Sequence, residues 1–286
     1  MARRRLLVFG IDGLRADELD GQPTPNIDAL GGLYCPATRI YNVYSDAETI
    51  SGPGWSSILT GAWPSKHGVT DNTFAGSDFA TYPDFLKQIK AANAALRVVL
   101  FSASWSGITD SIVTGIDVET HQAELVGDTS EIDTDASIVT QLLAEIAAND
   151  PDVIFCYLHG VDGEGHDHDW QSTEQRAALA NADTQLGRIV NDLSEGDDWM
   201  IIVCTDHGGG GGVANNHQGQ EGYPETVFVP LVISLREGGA FERFPGAYLV
   251  DIASTALSWM GVAVPSVMDG TDLLTRWHNL PPRKWA

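Results

Sequence analysis

Five short apolar runs punctuate the chain: Arg5–Gly10, Arg97–Ser102, Val153–Leu158, Met200–Thr205 and Val227–Leu235. Each reads as a strand buried on both faces. Between them, Ile138, Leu142, Leu143 and Ile146 recur at helical spacing, as do Ala182, Leu186, Ile189, Val190 and Leu193. Asp251–Met260 is a further helix candidate, with Gly261 as its stop. Alternation of this kind builds βαβ units. The expected fold class is therefore α/β, a mostly parallel central sheet with helices on both faces. The irregular stretch Gly107–Ser130 is the candidate for a small cap. With 286 residues and no repeat or linker, the expectation is one catalytic domain over residues 1–286.

Charge narrows the partners. The 39 acidic and 16 basic residues give a formal net charge of -23, which repels nucleic-acid backbones and anionic membranes. No binding to nucleic-acid duplexes or membranes is expected, and an anionic substrate needs a local attractor such as bound cations. Cys35, Cys156 and Cys204 form neither a zinc knuckle nor a redox pair. The apolar run after Met1-Ala2-Arg3-Arg4-Arg5 stops at Gly10, and no segment has 18 apolar residues. The expectation is a cytoplasmic chain whose first apolar run is a strand.

In open α/β sheets, ligands bind beyond the carboxyl ends of the strands. Chemistry-bearing residues gather there. Asp12 lies in Ile11-Asp12-Gly13-Leu14-Arg15, where a carboxylate either binds a cation or makes a turn. Ser51 opens Ser51-Gly52-Pro53-Gly54, where a helix N-terminus would expose its oxygen beside backbone N–H groups; the plain reading is an N-cap. Asp162 and His166, four residues apart in Asp162-Gly163-Glu164-Gly165-His166, can grip one metal. Asp206-His207 follows another strand and precedes five glycines, Gly208 to Gly212, which argue for close approach to a ligand. His217 lies just past them.

Three aspartates, three histidines and a serine offer the N/O mixture that zinc favours. Six such ligands exceed one tetrahedral ion and suit two. Two ions can clamp the attacking and leaving oxygens of a phosphoryl displacement. The expected cofactors are two divalent metal ions, zinc first and manganese second.

The order Asp12, hydroxyl residue, Asp162…His166, Asp206-His207, His217 resembles the ligand order of the alkaline phosphatase superfamily. It is closest to the type I phosphodiesterase and nucleotide pyrophosphatase branch. Flanking segments carry the resemblance from about residue 5 to residue 275: Thr24-Pro25-Asn26-Ile27-Asp28, Leu59-Thr60-Gly61, Pro64-Ser65-Lys66-His67-Gly68 and Met268-Asp269-Gly270-Thr271. It implies that Asp12, Ser51, Asp206 and His207 surround one metal while Asp162, His166 and His217 hold the other. In that branch the nucleophile stands ten residues before the Leu-Thr-Gly glycine, which is Ser51. A phosphate-contacting asparagine stands 21 residues after it, which is Asn72. Thr49 is the competing nucleophile, because the branch usually uses threonine.

Departures from the branch affect specificity. Ser51-Gly52-Pro53-Gly54 stands where the branch has Thr-Phe-Pro-Asn, so the bulky residue of the leaving-group pocket is missing. Sulfatases echo Ser51-Gly52-Pro53, but they carry paired aspartates where this chain has Asp12-Gly13. The function implied is a metal-dependent phosphoester hydrolase acting on a small-molecule diester. The alternatives are a phosphomonoesterase, a phosphonate or sulfate ester hydrolase on the same scaffold, and a non-catalytic metal- or phosphate-binding protein. The diester preference rests on basic residues: only Arg15 and Lys66 lie near Ser51 in the motif set. Oligomeric state is not legible.

Overall fold

In the computed structural model, the described residues are 2–39, 49–114, 119–123, 129–218, 222–235, 241–243 and 246–279. They contain eight strands: β1 (Arg4–Ile11), β2 (Gly32–Arg39), β3 (Val98–Ala103), β4 (Glu119–Ala123), β5 (Val153–Leu158), β6 (Asp198–Cys204), β7 (Phe228–Ser234) and β8 (Phe241–Arg243). The helices are α1 (Ala16–Gly21), α2 (Pro25–Leu30), α3 (Ser51–Thr60), α4 (Pro64–His67), α5 (Phe85–Ala92), α6 (Glu131–Asn149), α7 (Gly160–His168), α8 (Thr173–Asp192), α9 (Pro224–Val227), α10 (Asp251–Trp259) and α11 (Leu273–His278). One sheet runs in the order β4-β3-β5-β1-β6-β7-β2-β8. Its left part, β4 to β6, is parallel throughout, whereas β7 runs antiparallel to both β6 and β2. The fold is the expected α/β class.

All five expected strands form. Residues alternate between two cores because successive side chains leave a strand on opposite faces. Leu6 and Val8 of β1 join Phe155, Ile202, Trp55, Leu59 and Leu257 on one side. Leu7, Phe9 and Ile11 join Ile154, Ile201, Leu142, Leu179 and Leu186 on the other. Arg5, fully buried, closes the amino end of the sheet by pairing with Asp150 and Asp197.

Two regions differ from expectation. Glu119–Ala123, inside the proposed cap stretch, is the sheet's edge strand β4, paired in parallel with β3. Its sequence Glu-Thr-His-Gln-Ala is polar because its first residues are exposed at the edge. Strand β2 was not expected because Pro36 interrupts it, and the pairing with β7 slips register between Cys35 and Thr38 at that point.

Behind α3, His67 is fully buried; its Nδ1 accepts the Val69 N–H and its Nε2 lies 3.1 Å from Ser57 Oγ. Burial pushes its pKa down to about 4. A histidine with a depressed folded pKa stabilises the protein above its unfolded pKa, and that stability is lost as pH falls from about 6.5 to about 4. We therefore expect His67→Gln to flatten the fall in unfolding free energy across this window, by up to about 3 kcal/mol at its acid end. Urea melts at paired pH values check this.

Candidate metal and active site

The parallel strands β1, β5 and β6 deliver their carboxyl ends side by side. Asp12 follows β1, Asp162 sits in the first turn of α7 just past β5, and Asp206-His207 follows β6. Ser51 is the first residue of α3. Gly13 and Gly54 allow these segments to meet. Gly13 has φ +71, and a Cβ there would lie 2.8 Å from Asp162 Oδ1; a Cβ on Gly54 would lie 2.7 Å from the Asp206 Cβ. At both positions only glycine leaves room for the carboxylate.

Ser51 and the six carboxylate and imidazole candidates converge here. Ser51 Oγ is 3.3 Å from His207 Nε2, which is 3.2 Å from Asp206 Oδ2 and 3.5 Å from Asp12 Oδ1. His166 Nε2 is 3.1 Å from His217 Nε2 and 3.5 Å from Asp162 Oδ2, and His217 Nε2 is 3.8 Å from Asp162 Oδ1. The His207 and His217 rings stack with centroids 3.7 Å apart, which joins the two groups. Asp206 and His207, though adjacent, aim into the same space. Asp12, Asp162, Asp206, His207 and His217 are all buried to within 3% exposure. Asp162 belongs to both clusters able to hold a cation, one with His166 and His217 and the other with Asp12 and His207.

The hydrogen bonds leave several lone pairs of these groups facing inward. His207 Nδ1 faces the Gly208 carbonyl at 3.0 Å, His166 Nδ1 faces the Asn215 carbonyl at 3.0 Å, and His217 Nδ1 faces the Thr49 carbonyl. A carbonyl accepts only, so each Nδ1 carries the proton and each Nε2 offers a lone pair. Asp12 Oδ1, Asp162 Oδ1 and both Asp206 oxygens are buried without a hydrogen-bond partner. Burial, and then the Asp12 charge, push the Asp162 and Asp206 carboxyls well above the usual range. Burial pulls the His207 imidazole down to about 3, and burial with the neighbouring His207 pulls His217 down to about 2. Lone pairs aimed at each other in a buried space repel unless a cation lies between them. A tetrahedral zinc with ligands at about 2.0–2.1 Å separates those ligands by about 3.3 Å. The observed spacings of 3.1 to 3.8 Å fit that set.

Aromatic and acidic neighbours complete the site; among them, Trp55 and Trp170 read from sequence as either pocket-lining or core, while Tyr157, His159 and Glu131 carried no such reading. Trp55 Nε1 and Tyr157 Oη both donate to Asp12 Oδ2, at 2.9 and 2.5 Å, turning Oδ1 inward. Trp170 donates to the Gly13 carbonyl and packs edge-on against His166 and His217. His159 lies 3.6 Å from Asp162 Oδ2 and 3.4 Å from Glu131 Oε2. Burial alone would lower its pKa, but Glu131 and Asp162 outweigh burial and raise it to about 9. The signal for Trp55 was its place one helical turn after Ser51; nothing near Asp162 in sequence pointed to Glu131.

Some expectations change. The glycine run does not open onto ligand space: Cβ atoms on Gly209 and Gly210 would strike Trp170, and on Gly211 and Gly212 would strike Tyr223. Its glycines serve close packing. Arg15 is buried, donating to the Gly209 carbonyl and to Asp17. Lys66 is tied to Asp269 and to the Val267 carbonyl. Asn72 Oδ1 accepts the Gly52 N–H at 2.7 Å, so these two groups bind each other rather than both facing a ligand. The Asn72 side-chain NH2 is the group left to donate. The Thr49 hydroxyl donates to the His217 carbonyl.

An α/β sheet with buried carboxylates and imidazoles at its carboxyl edge is the arrangement of the alkaline phosphatase superfamily. The profile of type I phosphodiesterases / nucleotide pyrophosphatases matches residues 6–221, and the chain belongs to that family. The murine ectonucleotide pyrophosphatase / phosphodiesterase 5 superposes with a TM-score of 0.67 at 14% identity, covering 96% of this chain and 98% of that one. The phosphonate monoester hydrolase of Agrobacterium radiobacter superposes at 0.68 with 16% identity, covering 99% and 79%. A 2,3-bisphosphoglycerate-independent phosphoglycerate mutase of Natronomonas pharaonis is 31% identical over 179 residues, 60% of this chain and 33% of that protein. A multifunctional alkaline phosphatase superfamily protein of Trinickia caryophylli is 30% identical over 143 residues, 45% and 27%. The chain thus spans a third or less of the length of these two curated relatives. No helix among the described residues is long and apolar enough to cross a membrane.

Proposed function

We propose that this protein is a two-metal phosphodiesterase acting on a small-molecule ester, with Ser51 as nucleophile. The observation that carries the reading is the set of buried, unpartnered carboxylate oxygens and Nε2 lone pairs around Ser51 Oγ. Asp12, Asp206, His207 and Ser51 would hold one cation, and Asp162, His166 and His217 the other; zinc is favoured and manganese is the alternative. Bound cations there would lower the pKa of a hydroxyl and neutralise charge on the phosphoryl oxygens.

The chain's own residues supply the rest. Ser51, placed at the start of α3, attacks phosphorus; the Oγ–P bond forms as the P–O bond to the leaving group breaks, and the serine proton passes through solvent to the departing oxygen, which leaves as the alcohol. Water then cleaves the phosphoseryl ester. The Asn72 side-chain NH2 donates to a non-bridging oxygen, held in place by the Gly52 N–H on its other end. Thr49 is the weaker candidate because its hydroxyl is engaged with His217. A diester is favoured over a monoester because Arg15 and Lys66, the two candidate cations, are each bound elsewhere.

The test is turnover of zinc-loaded protein on paired nitrophenyl esters. The diester should exceed the phosphomonoester and the sulfate ester. Monoester preference would mark a phosphatase, sulfate preference a sulfatase-like enzyme, and absence of any turnover a binding protein. Asn72→Ala should lower diester turnover by roughly 10²-fold, the scale of losing one donor to a developing anion. Steady-state kinetics against wild type check that figure.

A further inference from the structure

Two carboxylates on the first turns of α6 reach the corner where β5 passes into α7. Asp135 Oδ1 and Oδ2 accept the backbone N–H groups of His159 and Gly160, each at 3.1 Å. Glu131, at the start of α6, lies against the His159 imidazole and also accepts from the Ser104 hydroxyl. The α7 glycines record how closely these helices meet. A Cβ on Gly160 would lie 2.5 Å from Asp135 Oδ2, and one on Gly163 would lie 2.8 Å from the Glu131 Cγ. Two of the three glycines in α7 are therefore explained by the α6 carboxylates rather than by a ligand. The third, Gly165, makes room for Trp170.

The His159 ring stands between two carboxylates, its Nδ1 toward Glu131 at 3.4 Å and its Nε2 toward Asp162 Oδ2 at 3.6 Å. His166 approaches the same Asp162 oxygen at 3.5 Å. Asp162 Oδ1 is left inward and unpartnered. The Asp162 carboxylate is thus flanked on its outer oxygen by an imidazole that is itself held from behind. Ser104, which holds Glu131, directly follows β3 with φ 54, a conformation rare for residues with a side chain. The residue after β3, the start of α6 and the first turn of α7 converge around the ring.

We propose that Glu131 and His159 are a positioning pair that orients Asp162 and so sets the cation affinity of the Asp162–His166–His217 group. The proposal rests on the metal reading above. His159 itself is not a ligand in this account; it aims Asp162 Oδ1 inward from behind, as outer partners of ligating groups do. Loss of such partners typically weakens metal binding by about 10–100-fold.

The experiment titrates metal-free wild type, His159→Gln and Glu131→Gln with zinc against a chromophoric chelator, and resolves the two equivalents. Wild type should take two. Both variants should bind one equivalent as wild type does and the other about 10–100-fold more weakly. Ser104→Ala should shift the same equivalent in the same direction by a smaller factor. Glu131→Asp, which keeps the charge, should recover part of the loss. The thermal midpoint of the metal-free protein reports structural damage separately, and Glu131→Gln carries the test if His159→Gln does not fold. Unchanged affinity for both equivalents in the variants overturns the pair while leaving the metal reading intact. Equal weakening of both equivalents, tracking a lowered metal-free midpoint, overturns it in favour of a structural role. Wild type that takes up no zinc overturns the metal reading and the pair with it.

Discussion

Ser51→Ala is expected to lower turnover of a nitrophenyl diester by on the order of 10⁴–10⁶-fold, the scale seen when a covalent nucleophile is removed from a site that otherwise keeps its geometry. The geometry should persist. Ser51 contributes one oxygen, 3.3 Å from His207 Nε2, while the imidazole stays fixed by the Gly208 carbonyl. The start of α3 does not depend on the hydroxyl either, because no side chain caps it. Metal uptake should therefore fall only modestly while chemistry stops. Thr49→Ala provides the contrast: its hydroxyl holds the His217 carbonyl, so its loss should loosen that segment and reduce turnover by a much smaller factor. Single-turnover rates on metal-loaded proteins check both. A serine variant that keeps near-normal turnover, beside a threonine variant that is dead, would move the nucleophile to Thr49.

The second large effect reverses sign with metal. Both oxygens of Asp206 are buried and unpartnered, beside Asp12 and 3.2 Å from His207 Nε2. Without a cation this arrangement costs stability. Asp206→Asn removes the charge and offers an N–H to the His207 lone pair. The metal-free variant should be more stable than metal-free wild type by about 1–3 kcal/mol, the cost of leaving a buried polar group unpaired. With cation in excess the order inverts. Wild type should gain about 4 kcal/mol per site at a cation concentration 1,000 times the Kd, and the variant should lose most of the gain at its own site. Thermal melts of both proteins with and without zinc check this crossing. Parallel melts that never cross would show that Asp206 is structural.

Much of this arrangement was legible in the chain. The apolar runs marked β1, β3, β5, β6 and β7 because strands buried on both faces carry few polar residues, and the residues just beyond three of them were Asp12, Asp162 and Asp206-His207. Parallel strands share one carboxyl edge, so these positions had to meet. What was not legible depended on packing between distant segments. Trp55 and Tyr157 are fully buried core residues, yet their polar tips aim Asp12, a contact between distant segments that no spacing in the chain announces. Glu131 lies 28 residues before His159, and only the seating of α6 against α7 brings them together. The glycine run was misread because glycine serves equally for a ligand's approach and for a tryptophan's, and here Trp170 and Tyr223 occupy the space. Strand β4 lacked an apolar signal at the sheet edge, and β2 was masked by Pro36.

The central claim, a hydrolase that forms a covalent ester at Ser51 with cations bound by the surrounding carboxylates and imidazoles, has one direct measurement. Zinc-loaded protein is mixed with a nitrophenyl phosphodiester, quenched in acid during the first turnover, digested and mapped by peptide mass. The account predicts a phosphoryl adduct on Ser51 that appears with metal and is absent from Ser51→Ala. Full turnover with no adduct on any residue, or an adduct on Thr49, would contradict it.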